Sequence, residues 1–225
     1  MVTQAMAPAA EIGVLDLQGG VQEHLDHLQR IGVPAKPIKQ AREFRGLAGL
    51  IIPGGESTCL ARLLTIFGLR EVILEEHRRG LKLWGTCAGT ILLAKENVGE
   101  SPHLGLIDVS VQRNAFGSQL DSFQCRVQVP EVSTESIPLT FIRAPKIVSV
   151  RPAVNVLLEI DGYIAAAEDE QTLVTIFHPE LTPNLAFHRY FARKCGLQPQ
   201  AGGSAIDPTW TRQSWTHIQR SSDLS

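Results

Sequence analysis

Apolar and polar positions alternate between two periods along the first hundred residues. Glu11 to Leu17 (EIGVLDL) is apolar and β-branched and stops at Gln18-Gly19-Gly20, which predicts a buried strand closed by a tight turn. Val21, Leu25, Leu28 and Ile31 then repeat at helical spacing, and Gly32 ends that helix. Ala35–Ile38 reads as a weak second strand and Leu47–Ile52 (LAGLII) as a third, stopped by Pro53-Gly54-Gly55. A helix starting near Ser57 or Thr58 covers Leu60 to Phe67, and another covers Leu69 to Arg79 up to Gly80. Leu81–Trp84 is a short strand, followed by Gly85-Thr86-Cys87-Ala88-Gly89 and an apolar helix over Thr90 to Lys95.

This strand–helix alternation predicts an α/β fold: a single-domain, three-layer, doubly wound and mostly parallel sheet of the flavodoxin-like kind. From Leu106 to about Phe177 the pattern becomes β-rich. Strands are expected at Ile107–Gln112, Phe123–Val129, Leu139–Ile142, Val154–Ile160, Tyr163–Ala167 and Leu173–Phe177, as antiparallel additions to the same sheet. Asn184 to Lys194 reads as a closing helix. Residues 1–10 and 198–225 are expected to be flexible or disordered, with the domain at 11–197, although Trp210 and Trp215 also fit a docking role for the tail.

Composition narrows the function classes. Of 225 residues, 21 are Lys or Arg and 23 are Asp or Glu, a net charge of −2 without the basic excess of a nucleic-acid binder. No apolar run is long enough to span a membrane, and Met1–Ala10 lacks the marks of a secretory signal. Cys59, Cys87, Cys125 and Cys195 form no closely spaced pair, so neither a compact zinc site nor a disulfide framework is expected. A cytoplasmic, thiol-reducing location and no metal or cofactor follow as expectations.

The strand–Gly85-x-Cys87-x-Gly89–helix segment is a cysteine form of the nucleophile elbow, in which a strained turn projects a reactive side chain. The following helix and a nearby histidine favour a thiolate there, and the Ala88 N–H could face an oxyanion. The bland alternative is a small buried cysteine in a glycine-rich turn. Among seven histidines, His178 stands out, because it closes an apolar strand and opens His178-Pro179-Glu180. In an extended segment His178 and Glu180 project to one side, so the carboxylate can orient the imidazole. His77, among charged neighbours (EEHRR), reads as a solvated face, whereas His24 and His27 read as structural or interfacial. The Pro53–Thr58 turn could offer backbone N–H groups to an anion, or simply let Ser57 or Thr58 cap a helix.

Together these motifs resemble the triad-type, class I glutamine amidotransferases, and within them the glutaminase subunit of the two-protein pyridoxal 5′-phosphate synthase. The resemblance rests on Gly13–Gly19 (GVLDLQG) with Glu23-His24, Pro53–Thr58 (PGGEST), Trp84–Gly89 (WGTCAG), His103-Leu-Gly-Leu, Arg113–Gln119 (RNAFGSQ) with Asp121–Phe123, Phe141–Pro145 (FIRAP) and Phe177–Thr182 (FHPELT). It implies a class I glutamine amidotransferase-like fold and a Cys87–His178–Glu180 triad that hydrolyses glutamine through a glutamyl thioester. It further implies oxyanion donors at Ala88, Gly54 and Gly55, and glutamine contacts at Gly55, Glu56, Ser57, Arg113, Ile142 and Arg143. The implied partner is a (β/α)-barrel synthase subunit in a large hetero-oligomer. That partner accepts the ammonia and activates the glutaminase, with the turn near the oxyanion hole as the switch. Gln18, Gly19, Glu23 and His24 are the expected interface residues. Departures from the family pattern are Asp16 in the first strand, Cys59 and Ser118. Two other functions compete: a γ-glutamyl hydrolase or glutaminase serving another pathway, and a non-catalytic scaffold.

Overall fold

The computed structural model describes residues 10–113 and 122–200. The N-terminal stretch 1–9, most of the RNAFGSQ block with Ser118, and the tail with Trp210 and Trp215 lie outside the described residues. The first half holds β1 (Glu11–Leu15), α1 (Val21–Arg30), β2 (Ala35–Ile38), β3 (Leu47–Ile52), α2 (Ser57–Ile66), α3 (Leu69–Arg78), β4 (Lys82–Thr86) and α4 (Ala88–Leu93). The second holds β5 (Ala94–Asn97), β6 (Ile107–Gln112), β7 (Ser122–Val129), β8 (Ser133–Ile142), β9 (Lys146–Val150), β10 (Asn155–Ile160), β11 (Tyr163–Glu168), β12 (Thr172–Thr175) and α5 (Ala186–Lys194).

One sheet runs β2-β1-β3-β4-β12-β11-β9-β6-β5, with β10 paired to β11. The strands from β2 to β12 are parallel, whereas β11 and β9 run antiparallel to their neighbours. Helix α1 packs on α5, and α2 packs on α3 and α4. The central strands β3 and β4 are buried along most of their length because helices cover both faces. Trp84, Phe177, Phe187 and Phe191 are fully buried and pack on one another, with Trp84 and Phe191 ring centres 5.5 Å apart. No helix among the described residues is long and apolar enough to cross a membrane.

Four sequence expectations are corrected. The helix after Cys87 stops at Leu93: Ala94 takes an extended conformation (ψ 136°), and β5 pairs in parallel with β6 in place of a helix to Lys95. Strand β9 is an addition to the expected set; its two half-exposed ends give it weak alternation. Strands β7 and β8 are not part of the main sheet but pair as a separate antiparallel ribbon. Phe123 of β7 stacks on Phe141 of β8, which meets Phe177 edge-on, so the ribbon is anchored by aromatic contacts rather than by main-sheet pairing. Finally, His77 is buried rather than solvated, with Nδ1 3.1 Å from the Leu81 carbonyl. It continues the Leu69–Ile73 stripe of α3 at four-residue spacing.

Candidate active site

The carboxyl ends of β1, β3, β4 and β12 open side by side, the edge at which doubly wound sheets present their ligands. The segments leaving them enclose a cleft of about 400 Å³, lined by Gln18, Gly54, Cys87, Arg113, Ile142 and His178 among others.

Cys87 sits between β4 and α4 with φ 48° and ψ −107°, a strained conformation for a non-glycine residue and the geometry of an elbow. Close packing holds it there. A Cβ on Gly85 would lie 2.5 Å from the Gly89 carbonyl carbon, and one on Gly89 would lie 2.1 Å from the Ile52 oxygen, so both flanking glycines are sterically required. Strand β12 locks the turn from the other side. Cys87 N and Thr90 Oγ1 both donate to the Thr175 carbonyl at 2.8 Å, and the Trp84 indole donates to Thr175 Oγ1 at 3.2 Å. Cys87 is 8% exposed, and its thiol points towards the Ile142 carbonyl at 3.9 Å.

His178 is placed by its backbone N–H, which donates to the Thr140 carbonyl of β8 at 2.8 Å. Its Nδ1 donates to Glu180 Oε1 at 2.7 Å, and its ring and the Cys87 side chain both pack at Gly54. The local reason differs from the extended segment expected, because Pro179–Leu181 is a 3-10 turn. That turn, with Pro179 fixing φ, folds the carboxylate back under the imidazole. Burial works against charge on His178, but Cys87 and Glu180 outweigh it and hold the imidazole well above its usual value. Burial likewise opposes ionisation of Glu180, yet His178, His24 and the hydrogen bond from His178 bring it down to about 2. The pair is therefore an imidazolium–carboxylate pair beside Cys87.

Gly54 fits between the two reactive groups. A Cβ there would stand 2.5 Å from His178 Cε1 and 3.2 Å from Cys87 Cβ. Gly55 has φ +148°, and the Gln18 side chain closes the turn by accepting from Glu56 N at 3.0 Å. Ala88 lines the cleft next to Cys87, as do Gly54 and Gly55.

The predicted glutamine contacts converge on the same cleft: Gly55, Glu56, Ser57, Arg113, Ile142 and Arg143 all line it. Their pairing is not legible in the sequence. Glu56, rather than Ser57 or Thr58, caps α2, accepting from Thr58 N at 3.1 Å and Cys59 N at 2.6 Å. Burial raises the Glu56 carboxyl, but those amides, the Thr58 hydroxyl and Arg113 together hold it below its usual range. Arg113 bridges Glu56 at 3.0 Å, Glu100 at 3.1 Å and Thr58 Oγ1 at 3.0 Å. Glu100 and Thr58 are the residues that sequence reasoning misses there. Arg143 is exposed at the rim with φ 42°. Ser57 Oγ is buried with no hydrogen-bond partner among the described residues.

The residues expected at an interface divide. Gln18 and Gly19 line the cleft mouth, and Glu23 is half-buried on α1. His24 is a correction: it is fully buried behind Glu180, against Trp84 and His188, and has no surface to offer a partner. His188, which no motif in the sequence marks, belongs to the same buried group. Among the described residues no group of three or more His, Cys, Asp or Glu side chains is placed to hold a metal ion. The site's means are a thiol, an imidazole, a carboxylate and backbone N–H groups, a set suited to acyl transfer.

The model of the SNO glutamine amidotransferase family matches residues 14–197. A protein of Syntrophus aciditrophicus named pyridoxal 5′-phosphate synthase subunit PdxT is 54% identical over 209 residues, covering 92% of this chain and 93% of its own. One of the same name from Caldanaerobacter subterraneus is 48% identical over 184 residues, covering 81% and 97%. A crystal structure described as a glutamine amidotransferase superposes with a TM-score of 0.78 at 40% identity, over 83% of this chain and 99% of that one. The PurLQS structure from Thermotoga maritima, 15% identical with a TM-score of 0.58 over 82% and 99%, shares the fold.

Proposed function

The chain belongs to the SNO glutamine amidotransferase family, and from that premise we propose that Cys87, His178 and Glu180 carry its glutaminase reaction. The ammonia serves pyridoxal 5′-phosphate synthesis, and the synthase partner is a (β/α)-barrel protein in a large hetero-oligomer. The observation that carries the site assignment is the Glu180–His178 bond of 2.7 Å in a ring that shares the Gly54 wall of the cleft with Cys87.

The chemistry follows from the charges. The Cys87 thiolate attacks the side-chain amide carbon of glutamine, and the amide oxygen becomes an oxyanion facing the N–H groups of Ala88 and the Gly54–Gly55 turn. The His178 imidazolium gives its proton to the amide nitrogen, the C–N bond breaks and ammonia leaves. A glutamyl thioester remains on Cys87. His178, now neutral, takes a proton from water, which attacks the thioester and releases glutamate and the thiolate. Glu180 holds the imidazole tautomer and compensates its positive charge in both halves. Arg113 or Arg143 suits the α-carboxylate of glutamine, and Ser57 Oγ is an available polar contact.

The test is to mix the full chain with glutamine and the synthase partner and to measure glutamate release for wild type and Cys87→Ala. Release only by the wild type is expected. Equal release would overturn the thiol mechanism, and none from either would favour a scaffold.

A further inference from the structure

Glu180 uses only one of its two oxygens on His178. Oε2 is buried and has no hydrogen-bond partner among the described residues. His24 Nε2, on α1, is in the same state, and the two atoms face each other 3.5 Å apart. Buried polar atoms without partners are rare, and two that face each other need a common account.

The other edge of the His24 ring supplies it. His24 Nδ1 lies 2.8 Å from His188 Nε2, and His188 Nδ1 has no hydrogen-bond partner among the described residues. Neutral rings can make this bond in two ways. If His24 Nδ1–H donates, its Nε2 points a lone pair at a carboxylate, and His188 Nδ1–H is a buried donor with no acceptor. If His188 Nε2–H donates instead, His24 carries its proton on Nε2, aimed at Glu180 Oε2, and His188 Nδ1 is left as a bare lone pair. The second arrangement removes a repulsion and an orphaned donor together. Both rings are neutral, as it requires: burial takes His24 down to about 4 against the pull of Glu180, and takes His188 well below its usual value. Trp84 packs edge-on against both, at 5.6 Å and 5.0 Å, and fixes their planes.

We infer that His24 is a positioning residue: held as the Nε2–H tautomer by His188, it donates to Glu180 Oε2 and steers Oε1 onto His178. The chain Cys87–His178–Glu180–His24–His188 thus crosses from the β4 elbow to α5. This inference rests on the triad proposed above and adds what holds its carboxylate. The titratable groups facing His24 are Glu180 and His178 from the 3-10 turn, His188 from α5 and His27 from its own helix. His27 is itself held in place, with Nε2 2.9 Å from the Thr182 carbonyl.

Glutamate release by the full chain with its synthase partner, measured across pH, tests this with His24→Phe, His24→Gln and Cys87→Ala. His24→Phe should lower kcat about tenfold or more, leave KM for glutamine within about twofold, and move the acid limb to higher pH, because Glu180 loses a donor that keeps it ionised. His24→Gln, whose amide nitrogen can replace Nε2 as donor, should recover most of kcat. In the ¹⁵N-histidine-labelled wild-type chain, ring spectra should show Nε2–H tautomers for both His24 and His188, a readout that no folding defect can touch. An Nδ1–H tautomer at His24 overturns the inference. So does a wild-type kcat and pH profile in His24→Phe, or equal loss in both variants with an unmoved pH profile. Release by Cys87→Ala would instead sink the triad reading itself.

Discussion

His178 Nδ1 and Glu180 Oε1 stand 2.7 Å apart within a single 3-10 turn. The carboxylate is therefore set by a local bend, and its charge state is tied to the imidazole. Glu180→Gln keeps the shape but removes the charge, so kcat for glutamine hydrolysis should fall by about a thousandfold while KM changes little. Stability gives a second readout. The Glu180 carboxyl is depressed to about 2, so its contribution is present above the ordinary carboxyl value and is lost as pH falls towards 2. Acid unfolding between about pH 5 and pH 2 should be steeper in wild type than in Glu180→Gln.

The buried histidines add a second loss of stability on acidification, at higher pH. His24, at about 4, His27 and His188 are all held below their ordinary value by burial. Below that value the unfolded chain takes up protons that the folded one refuses, so stability should drop as pH goes from about 7.5 to about 5.5. The slope is about 1.4 kcal/mol per pH unit for each histidine kept neutral. His178, shifted upward, offsets one of them. Urea midpoints at the two pH values should show the loss, and a flatter response is expected for His188→Phe.

Gly54 is a spacer between Cys87 and His178. Its replacement by alanine would drive a methyl group into the His178 ring and against Cys87. Gly54→Ala should cut glutaminase kcat by about a hundredfold or more with little change in thermal midpoint, because the strain falls on a partly exposed side chain that can swing away. Gly89→Ala meets the Ile52 backbone instead and should fail to give folded protein, as far-ultraviolet circular dichroism would show.

Glu56 combines two tasks, capping α2 and pairing with Arg113. Glu56→Ala should cost about 1 kcal/mol of stability through the lost cap, seen as a lower urea midpoint. It should also raise KM for glutamine, because Arg113 loses one of its anchors. Glu56→Asp, one methylene shorter, should fall between in both.

The thiols should separate by reactivity. Cys195 is pushed up to about 12 by burial, against the pull of Lys82 and Lys194, while Cys59 is exposed on α2. At about pH 8, iodoacetamide followed by peptide mapping should label Cys59 and leave Cys195 unmodified.

Much of this arrangement is legible in the sequence because its signals are local. Strand β3 and the glycines around Cys87 follow from apolar runs and from close packing within a few residues. Strands β7 and β8 show why other features are not. Alternation along each strand announces a half-exposed β-ribbon, but nothing in it says which sheet will accept the edge. His77 is misplaced when its charged neighbours are weighed above the four-residue spacing from Leu69 and Ile73, a signal that is present. Glu56 as the cap of α2, and the Glu100 and Thr58 contacts of Arg113, depend on side-chain geometry that spacing cannot supply. His188 lies beside Phe187 on the buried face of α5, yet its partner His24 is 164 positions away, and no periodicity links them.

The place of β12 has a consequence for how the molecule is born. Cys87 is held by the Thr175 carbonyl, and His178, its proposed base, follows three residues later, while β12 inserts between β4 and β11. A ribosome that has delivered the elbow must therefore still add about ninety residues before the thiol acquires either its clamp or its proton acceptor. On the proposed mechanism, a partial product therefore hydrolyses no glutamine.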